Sequence, residues 1–272
     1  MPATITSVAT QQIVALNDAE ASENRIHRDD IALKYGFSGA LVSGVNIFGY
    51  LCQPLVRVYG AQWLNRGVLD VLFLKPAYQD DLLTIETENV GADAGERRHQ
   101  TSAVNAEGVQ IAKLDSALPA ELPPIHELAH AVGEPAPTER QEIAWNLIDI
   151  DRPAPVYIWN PSEQDNMERV NAQRDHTSLY FGGNGLIHPY YLLDACNKAL
   201  MRMFILPAWI HTGCRIILRK ALHAGQAIEI RTVPIEKWER KGHQFIKLYI
   251  AMWSDDEVAV EVEHSAIFRI AA

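Results

Sequence analysis

The feature that most constrains the fold is an internal repeat, in which residues 145 positions apart share their chemical character. Asp30 and Asp175 form one such pair, and Lys75 and Lys220 form another. Apolar positions coincide at the same offset between these pairs, and no gap is needed across about fifty residues. A repeat of this kind predicts two copies of one structural unit within the 272 residues.

A proline-rich stretch separates the two copies. Residues 119–145 contain five prolines among polar residues: Pro119, Pro123, Pro124, Pro135 and Pro137. This composition is typical of a linker with at most a short helix. The sequence therefore predicts an N-terminal unit at 1–118, a linker at 119–145 and a C-terminal unit at 146–272.

Both copies show the same order of predicted elements. A short leading strand and a glycine-containing loop precede one long apolar helix, at about 40–58 in the first copy and 186–206 in the second. Apolar residues surround each helix axis, which indicates a helix buried on all sides. Four extended segments follow in each copy, and several alternate apolar and polar residues as antiparallel strands do. They lie at 69–74, 82–88, 100–106 and 110–118, and at 215–219, 227–233, 245–253 and 258–270.

The predicted elements define a fold class. An antiparallel sheet that wraps around one buried helix is a hotdog fold, so two such units predict an α+β protein with a double hotdog architecture.

Composition excludes several functions. The chain has 24 Lys and Arg against 34 Asp and Glu, for a net charge of −10, which argues against a nucleic-acid partner. No apolar run approaches the roughly 20 residues that cross a bilayer, so no membrane partner is expected. Residues 1–6 lack the basic and apolar regions of a secretory signal, and three scattered cysteines form no disulfide framework. We therefore expect a cytoplasmic protein.

One short pattern resembles a zinc site. His126-Glu127-Leu128-Ala129-His130 matches the H-E-x-x-H motif, in which two histidines on one helix hold zinc. The prolines on both sides leave room for barely two helical turns, and a catalytic zinc needs a third protein ligand that has no obvious candidate nearby. We expect a polar linker helix here, and neither a metal nor another cofactor.

Three blocks of the first copy carry the chemistry. Ser22-Glu23-Asn24-Arg25-Ile26-His27 is followed by the loop Gly36-Phe37-Ser38-Gly39-Ala40-Leu41-Val42-Ser43-Gly44, and later by Lys75-Pro76-Ala77-Tyr78-Gln79-Asp80-Asp81-Leu82-Leu83. In order and spacing, these blocks resemble the MaoC-like (R)-specific enoyl-CoA hydratase/dehydratase family of hotdog proteins. The resemblance implies a hydro-lyase for an acyl thioester on CoA or a carrier protein, as a monomer or a homodimer.

The resemblance also implies roles for residues of the first block. His27 stands at the position of the family's histidine and would transfer the proton. The family's aspartate, five positions before that histidine, is Ser22 here, which would orient water or bind substrate. Glu23 is one residue away and would replace the missing carboxylate only if a bulge reversed its direction.

The loop and the helix that follows it would bind the substrate. Backbone N–H groups between Gly39 and Gly44, among them that of Ser43, would stabilise the thioester oxygen as it becomes an enolate. Asn46 lies one turn into the helix and is expected either to face the pocket or to be a hydrogen-bonded core amide.

The second copy offers an alternative site. Asp194 lies within the apolar helix and aligns with Gly49 of the first copy, and His188 lies in the second loop. A carboxylate at such a position is costly unless it is paired or functional. With the family aspartate absent, the alternatives are a thioesterase-like enzyme that uses Asp194, an isomerase, and a non-catalytic acyl-binding protein. Since His27 aligns with Ala172, we expect one site per chain.

Overall fold

The computed structural model describes residues 6–93, 96–135 and 139–271. Residues 1–5, which carry most of the segment on which the absence of a secretory signal was predicted, lie outside the described residues, as does Pro137 of the predicted linker. No helix of the described part of the chain is long and apolar enough to cross a membrane.

The described part of the first half contains five strands and three α-helices. The strands are β1 (Thr6–Val14), β2 (Val68–Phe73), β3 (Leu82–Asp93), β4 (Glu96–Val104) and β5 (Gln110–Leu118). The helices are α1 (Asp29–Ala32), α2 (Gly44–Tyr59) and α3 (Ala61–Arg66).

The second half repeats this arrangement. Its strands are β6 (Tyr157–Trp159), β7 (Ile210–Leu218), β8 (Ile228–Arg240), β9 (His243–Ser254) and β10 (Glu257–Arg269). Its helices are α4 (Glu163–Ala172) and α5 (Pro189–Met203). The helices α2 and α5 begin 145 residues apart, at the offset found in the sequence.

All ten strands form one antiparallel sheet in the order β1-β3-β4-β5-β2-β7-β10-β9-β8-β6. The halves join where β2 pairs with β7, and there Asp70 lies opposite Arg215, its own repeat equivalent. Leu72 pairs with Gly213 on one side of this point and Val68 with Ile217 on the other. The two copies are therefore related by an internal pseudo-two-fold axis, as subunits are in an isologous dimer.

The two long helices form the centre of the core. Most residues of α2 and α5 are buried, as their apolar sequences predict, and the two helices contact each other. The segments before them are extended: Leu41 bridges to Tyr78, and its repeat equivalent Leu186 bridges to His223. The helices thus begin later than the hydrophobic pattern predicts, because these apolar residues are buried in extended conformation.

The linker packs against the outside of the second half-sheet. The H-E-x-x-H segment forms one short 3-10 turn, with the His126 ring 5.0 Å from Tyr249 and the His130 ring 5.3 Å from Trp253. The buried carboxylate of Glu261 accepts hydrogen bonds from the His126 amide at 2.9 Å and from Arg219 Nε at 2.5 Å. Both histidines therefore act in packing, and no group of three His, Cys, Asp or Glu side chains among the described residues could hold a metal ion.

Candidate active site

His27 lies buried beside the loop that leads into α2. Its Nδ1 is 2.7 Å from the carbonyl oxygen of Leu41, which can only accept, so Nδ1 carries the proton. Nε2 is then the acceptor, and the Asn24 side-chain amide donates to it at 3.3 Å. Burial lowers the pKa of His27, against the opposing effects of the Leu41 carbonyl and of the Asp18 and Asp194 carboxylates. The ring is therefore neutral at pH 7 and can accept a proton at Nε2.

The N-terminus of α2 lies two residues beyond the Leu41 carbonyl that holds His27. Ser43 is the N-cap residue, but its side chain makes no capping hydrogen bond. The first amides of a helix have no partner within the helix, and the helix dipole adds positive potential there. The start of α2 can therefore stabilise negative charge that develops on an oxygen, close to the imidazole.

A groove of about 460 Å³ opens beside this loop. Its lining includes Gly39 and Ala40 of the loop, Tyr78 and Gln79 of the turn before β3, and Leu16, Asn17, Glu20, Asp29 and Ser38. Ala40 donates its amide to Asp29 at 2.7 Å, and Ser38 donates to the Tyr78 hydroxyl at 3.3 Å. The loop is thus held in a fixed conformation along one wall of the groove.

A carboxylate outside the predicted set lies between the two central helices. Asp18 follows β1, and its Oδ1 accepts from Asn46 Nδ2 of α2 at 3.1 Å. Its Oδ2 accepts from the Tyr190 hydroxyl of α5 at 2.6 Å. Since Asp18 also raises the pKa of His27, the two groups lie within electrostatic range of each other. Asp18 is solvent-exposed, so the site it marks is open to water.

Asn46 is fully buried and faces this region. Its Nδ2 donates to the Leu16 carbonyl at 3.2 Å as well as to Asp18, whereas its Oδ1 has no hydrogen-bond partner among the described residues. The Asn46 amide thus holds the segment after β1, and its Oδ1 is a buried acceptor without a partner among the described residues.

Ser22 and Glu23 lie apart from this arrangement. Both side chains are exposed. The Ser22 hydroxyl donates to the Asn24 carbonyl at 3.2 Å, and Glu23 forms an ion pair with Arg140 of the linker at 3.1 Å. Neither of these two described side chains makes a hydrogen bond to His27.

His188, at the repeat position of Ser43, closes the corresponding helix end. Its Nδ1 accepts from the Tyr190 amide at 3.1 Å and so caps α5, with Pro189 as the first helical residue. Its Nε2 lies 3.4 Å from the Asp175 carboxylate, and both side chains are fully buried. Burial lowers the pKa of His188, although Asp175 opposes this. The N-terminus of α5 is therefore occupied by the protein itself.

Asp194 belongs to an ion-pair cluster on α5. Its Oδ2 lies 3.0 Å from Lys198 and 3.8 Å from Arg169, and the side chain is 19% exposed. Arg169 also donates to the Tyr190 hydroxyl at 2.9 Å. Asp194 is thus linked to Asp18 through Arg169 and Tyr190, and its charge, like that of Asp18, raises the pKa of His27.

Sequence reasoning missed Asp18, Asn24 and Tyr190. Asn24 belongs to the same sequence block as His27. Its side chain hydrogen-bonds the backbone of Trp209 in the other half, at 3.1 Å and 3.0 Å, and no pattern in the neighbouring sequence predicts that contact. Tyr190 carries a polar hydroxyl at the start of an apolar helix, which is a usable signal. Asp18 stands in an irregular segment without periodicity, and only its tertiary contacts distinguish it.

Comparisons with known proteins address the fold. The sequence matches no protein-family model and no curated protein. Among solved structures, a protein of Chloroflexus aurantiacus, provisionally named a MaoC domain dehydratase, superposes with a TM-score of 0.72 at 9% identity, over 98% of this chain and 95% of the other. A conserved hypothetical protein of Mycobacterium tuberculosis, described as a double hotdog fold, superposes with a TM-score of 0.66 at 13% identity, over 97% and 95% of the two chains.

This chain is a double hotdog protein. The predicted fold class is thus confirmed, and the structural neighbours include the MaoC-like dehydratases that the sequence resembles. An acyl-ACP thioesterase of Bacteroides thetaiotaomicron also superposes on the double hotdog chain, with a TM-score of 0.50 at 12% identity over 96% and 97% of the two chains. The neighbours are thus named for two kinds of enzyme, dehydratases and a thioesterase.

Proposed function

We propose that the protein is a MaoC-like hydro-lyase that adds water to, or removes it from, an enoyl thioester on CoA or a carrier protein. One observation carries the proposal: the neutral imidazole of His27 is fixed to the same loop that ends in the uncapped N-terminus of α2. A base and an oxyanion-binding helix end are the two groups that this reaction needs.

The chemistry follows from these two groups. In hydration, a water molecule takes the place of Asn24 at Nε2 of His27 and loses a proton to it. The oxygen of that water bonds to C3 of the enoyl group, and the C2–C3 π electrons move onto the thioester oxygen. The first amides of α2 stabilise the resulting enolate, which regains the carbonyl as C2 takes up the proton from imidazolium. Dehydration is the reverse.

Asp18 is proposed as the carboxylate that supports His27. Its charge favours the imidazolium that forms during the reaction, which is consistent with its effect on the pKa of His27. Because Asn46 and Tyr190 hold its two oxygens, its position is set by both central helices. Asp18, four residues before Ser22, thereby supplies the carboxylate that the family has at the position of Ser22.

The test is an assay of hydration and dehydration with a panel of 2-enoyl and 3-hydroxyacyl thioesters. We expect His27→Ala to lower kcat by about 10²- to 10⁴-fold and Asp18→Asn to lower it less. His176→Ala is the matched control, because His176 is an exposed histidine outside the site. Unchanged turnover in His27→Ala, with wild-type folding, would refute the proposal.

A thioesterase is the second candidate, favoured by the acyl-ACP thioesterase among the structural neighbours and by Asp194 on α5. The two candidates differ in product, since hydrolysis releases a free thiol and hydration does not. Thiol release that is lost in Asp194→Asn and kept in His27→Ala would favour hydrolysis. Retained binding without either product would favour a non-catalytic acyl-binding protein.

Localisation in the cytoplasm is part of the proposal. All three cysteines are free and buried, which suits a reducing compartment. Measurement of the protein in cell fractions tests this assignment directly.

A further inference from the structure

A second group of buried polar side chains lies where β7 and β10 face α5. We call Trp209, His211, His264 and Asn197 the histidine cluster. The rings of His211 and His264 stack with centroids 4.0 Å apart and planes 18° apart. His264 Nε2 lies 2.9 Å from Asn197 Oδ1, and the Trp209 ring centroid lies 6.1 Å from that of His264.

Several nitrogens of the cluster are buried without a partner. Within the described residues, Nε1 of Trp209 has no hydrogen-bond partner. The ring nitrogens of His211 and Nδ1 of His264 have none beyond weak contacts with the backbone of Gly213 and of His264 itself. All three side chains are at least nine-tenths buried. Buried polar groups are nearly always hydrogen-bonded in proteins, so four such atoms in contacting rings indicate a place that receives polar atoms from elsewhere.

The donors and acceptors of the histidine cluster are uncharged groups. Burial lowers the pKa of His264 to about 4, and burial together with the neighbouring His264 ring lowers that of His211 well below its usual range. Since Asn197 Oδ1 accepts from Nε2 of His264, Nδ1 of that ring is an acceptor, whereas Trp209 Nε1 is only a donor. A hydroxyl or a carbonyl oxygen matches this combination without bringing a charge into the core.

The cluster adjoins both groups of the candidate active site. The Phe73 ring packs edge-on against His211 with centroids 4.9 Å apart, and it comes within 3.3 Å of the point where a Cβ on Gly44 would lie. On the other side, the Asn24 amide binds the backbone of Trp209 and also contacts His27 Nε2. One side chain therefore connects the cluster to the start of α2, and another connects it to the proton-transfer group.

We propose that the histidine cluster binds a neutral oxygen function, a hydroxyl or a keto group, on the acyl chain of the substrate. This inference rests on the proposed function, because the thioester carbonyl would lie at the N-terminus of α2 while the acyl chain extends past Phe73 toward β7 and β10. The preferred substrate is then an oxygenated acyl thioester rather than a plain fatty acyl thioester. Trp209 donates to the oxygen, and the two imidazoles supply the matching acceptor and donor.

The experiment compares two saturated acyl-pantetheine thioesters of equal length, one of which carries a hydroxyl group on a carbon beyond C3. A hydroxyl at that position cannot be eliminated in the proposed dehydration, so both probes are unreactive. Binding is measured by calorimetry and by the indole N–H resonances of protein labelled with ¹⁵N-tryptophan, with Trp209→Phe used to assign the Trp209 signal. We expect the hydroxylated probe to bind about five- to tenfold tighter, the worth of one or two hydrogen bonds, and to shift the Trp209 signal. Trp209→Phe should abolish the preference.

Trp63→Phe is the matched control. Trp63 is equally buried, but its Nε1 already donates to the Ser116 hydroxyl at 2.9 Å, so its replacement should leave the preference intact. Equal affinity for the two probes, or a preference that survives Trp209→Phe, would overturn the role of the cluster and leave the proposed function standing. If neither probe bound, the thioester function itself would be refuted. Should Trp209→Phe fail to fold, His211→Phe takes its place and should likewise abolish the preference.

Discussion

Gly49 of α2 lies very close to residues of the second half of the chain. A Cβ at this position would lie 2.1 Å from Gln173 Oε1, 2.7 Å from Gln173 Cδ and 2.9 Å from Tyr190 Cβ. The Gln173 side chain is fully buried and could withdraw only by moving other core atoms, and Tyr190 Cβ is fixed by the backbone of α5. Gly49→Ala is therefore an informative perturbation.

Two opposing effects decide whether Gly49→Ala stabilises or destabilises the protein. Alanine in place of glycine stabilises a helix interior by about 1 kcal/mol, whereas overpacking a well-packed core costs about 1–3 kcal/mol. Because two of the three contacts lie far inside the normal range and one involves a backbone-anchored atom, the steric cost prevails. Contacts of 2.1–2.9 Å place the steric cost in the upper part of that range, at about 2–3 kcal/mol. We therefore expect Gly49→Ala to lower the free energy of unfolding by about 1–2 kcal/mol.

Urea unfolding followed by circular dichroism measures this change through the midpoint at constant slope. Gln173→Ala should relieve the clash, so the double variant should be more stable than the sum of the single effects by at least about 0.5 kcal/mol. Gly183→Ala is the control, because the nearest atom to its Cβ would lie at an ordinary 3.8 Å. A Gly49→Ala protein as stable as the wild type would refute the close packing of α2 against the second half.

Three further outcomes are expected. Because His27 acts as a base and burial lowers its pKa, kcat/KM should persist as pH falls to about 6.5 and decline only below it; a decline centred above that pH would contradict this. His264 has its pKa lowered to about 4, so stability is full above about pH 6.5 and is lost as pH falls toward 4, by about 3 kcal/mol in total; His264→Gln should flatten that dependence in urea titrations at pH 7 and 5. Arg219→Ala leaves the Glu261 carboxylate buried and should cost about 3–5 kcal/mol in thermal or urea unfolding, whereas Lys220→Ala, at an exposed ion pair, should change little.

The fold was predictable because its signals are regular. The offset of 145 residues recurs in the starts of α2 and α5 and in the pairing of Asp70 with Arg215. The helix starts were less predictable. The hydrophobic pattern placed Leu41 and Leu186 within the helices, but each is buried in extended conformation and bridges to the turn before a later strand. Hydrophobicity reports burial, and it does not distinguish a buried extended residue from a buried helical one.

The candidate site was predictable only where it is local. His27 and the loop to Gly44 lie within one short block, so their neighbourhood could be inferred from spacing. Asp18 and Asn24 gain their roles from partners in the other half, such as Tyr190 and the backbone of Trp209. No pattern within the sequence encodes those partners, because they follow from how the two repeats meet.

The divergence of the two repeats is the reason why we propose one site per chain. The pseudo-two-fold axis supplies two buried helices, each with an N-terminus that attracts negative charge. At the same repeat position, His188 caps α5, whereas Ser43 leaves the first turn of α2 without a side-chain cap. A capped helix end contributes stability and cannot also bind an oxyanion, so in the proposed reaction only the start of α2 is available for that role. His27 lies in the same copy as the uncapped end, and Ala172 stands at its repeat position, so the proposed chemistry belongs to the first copy.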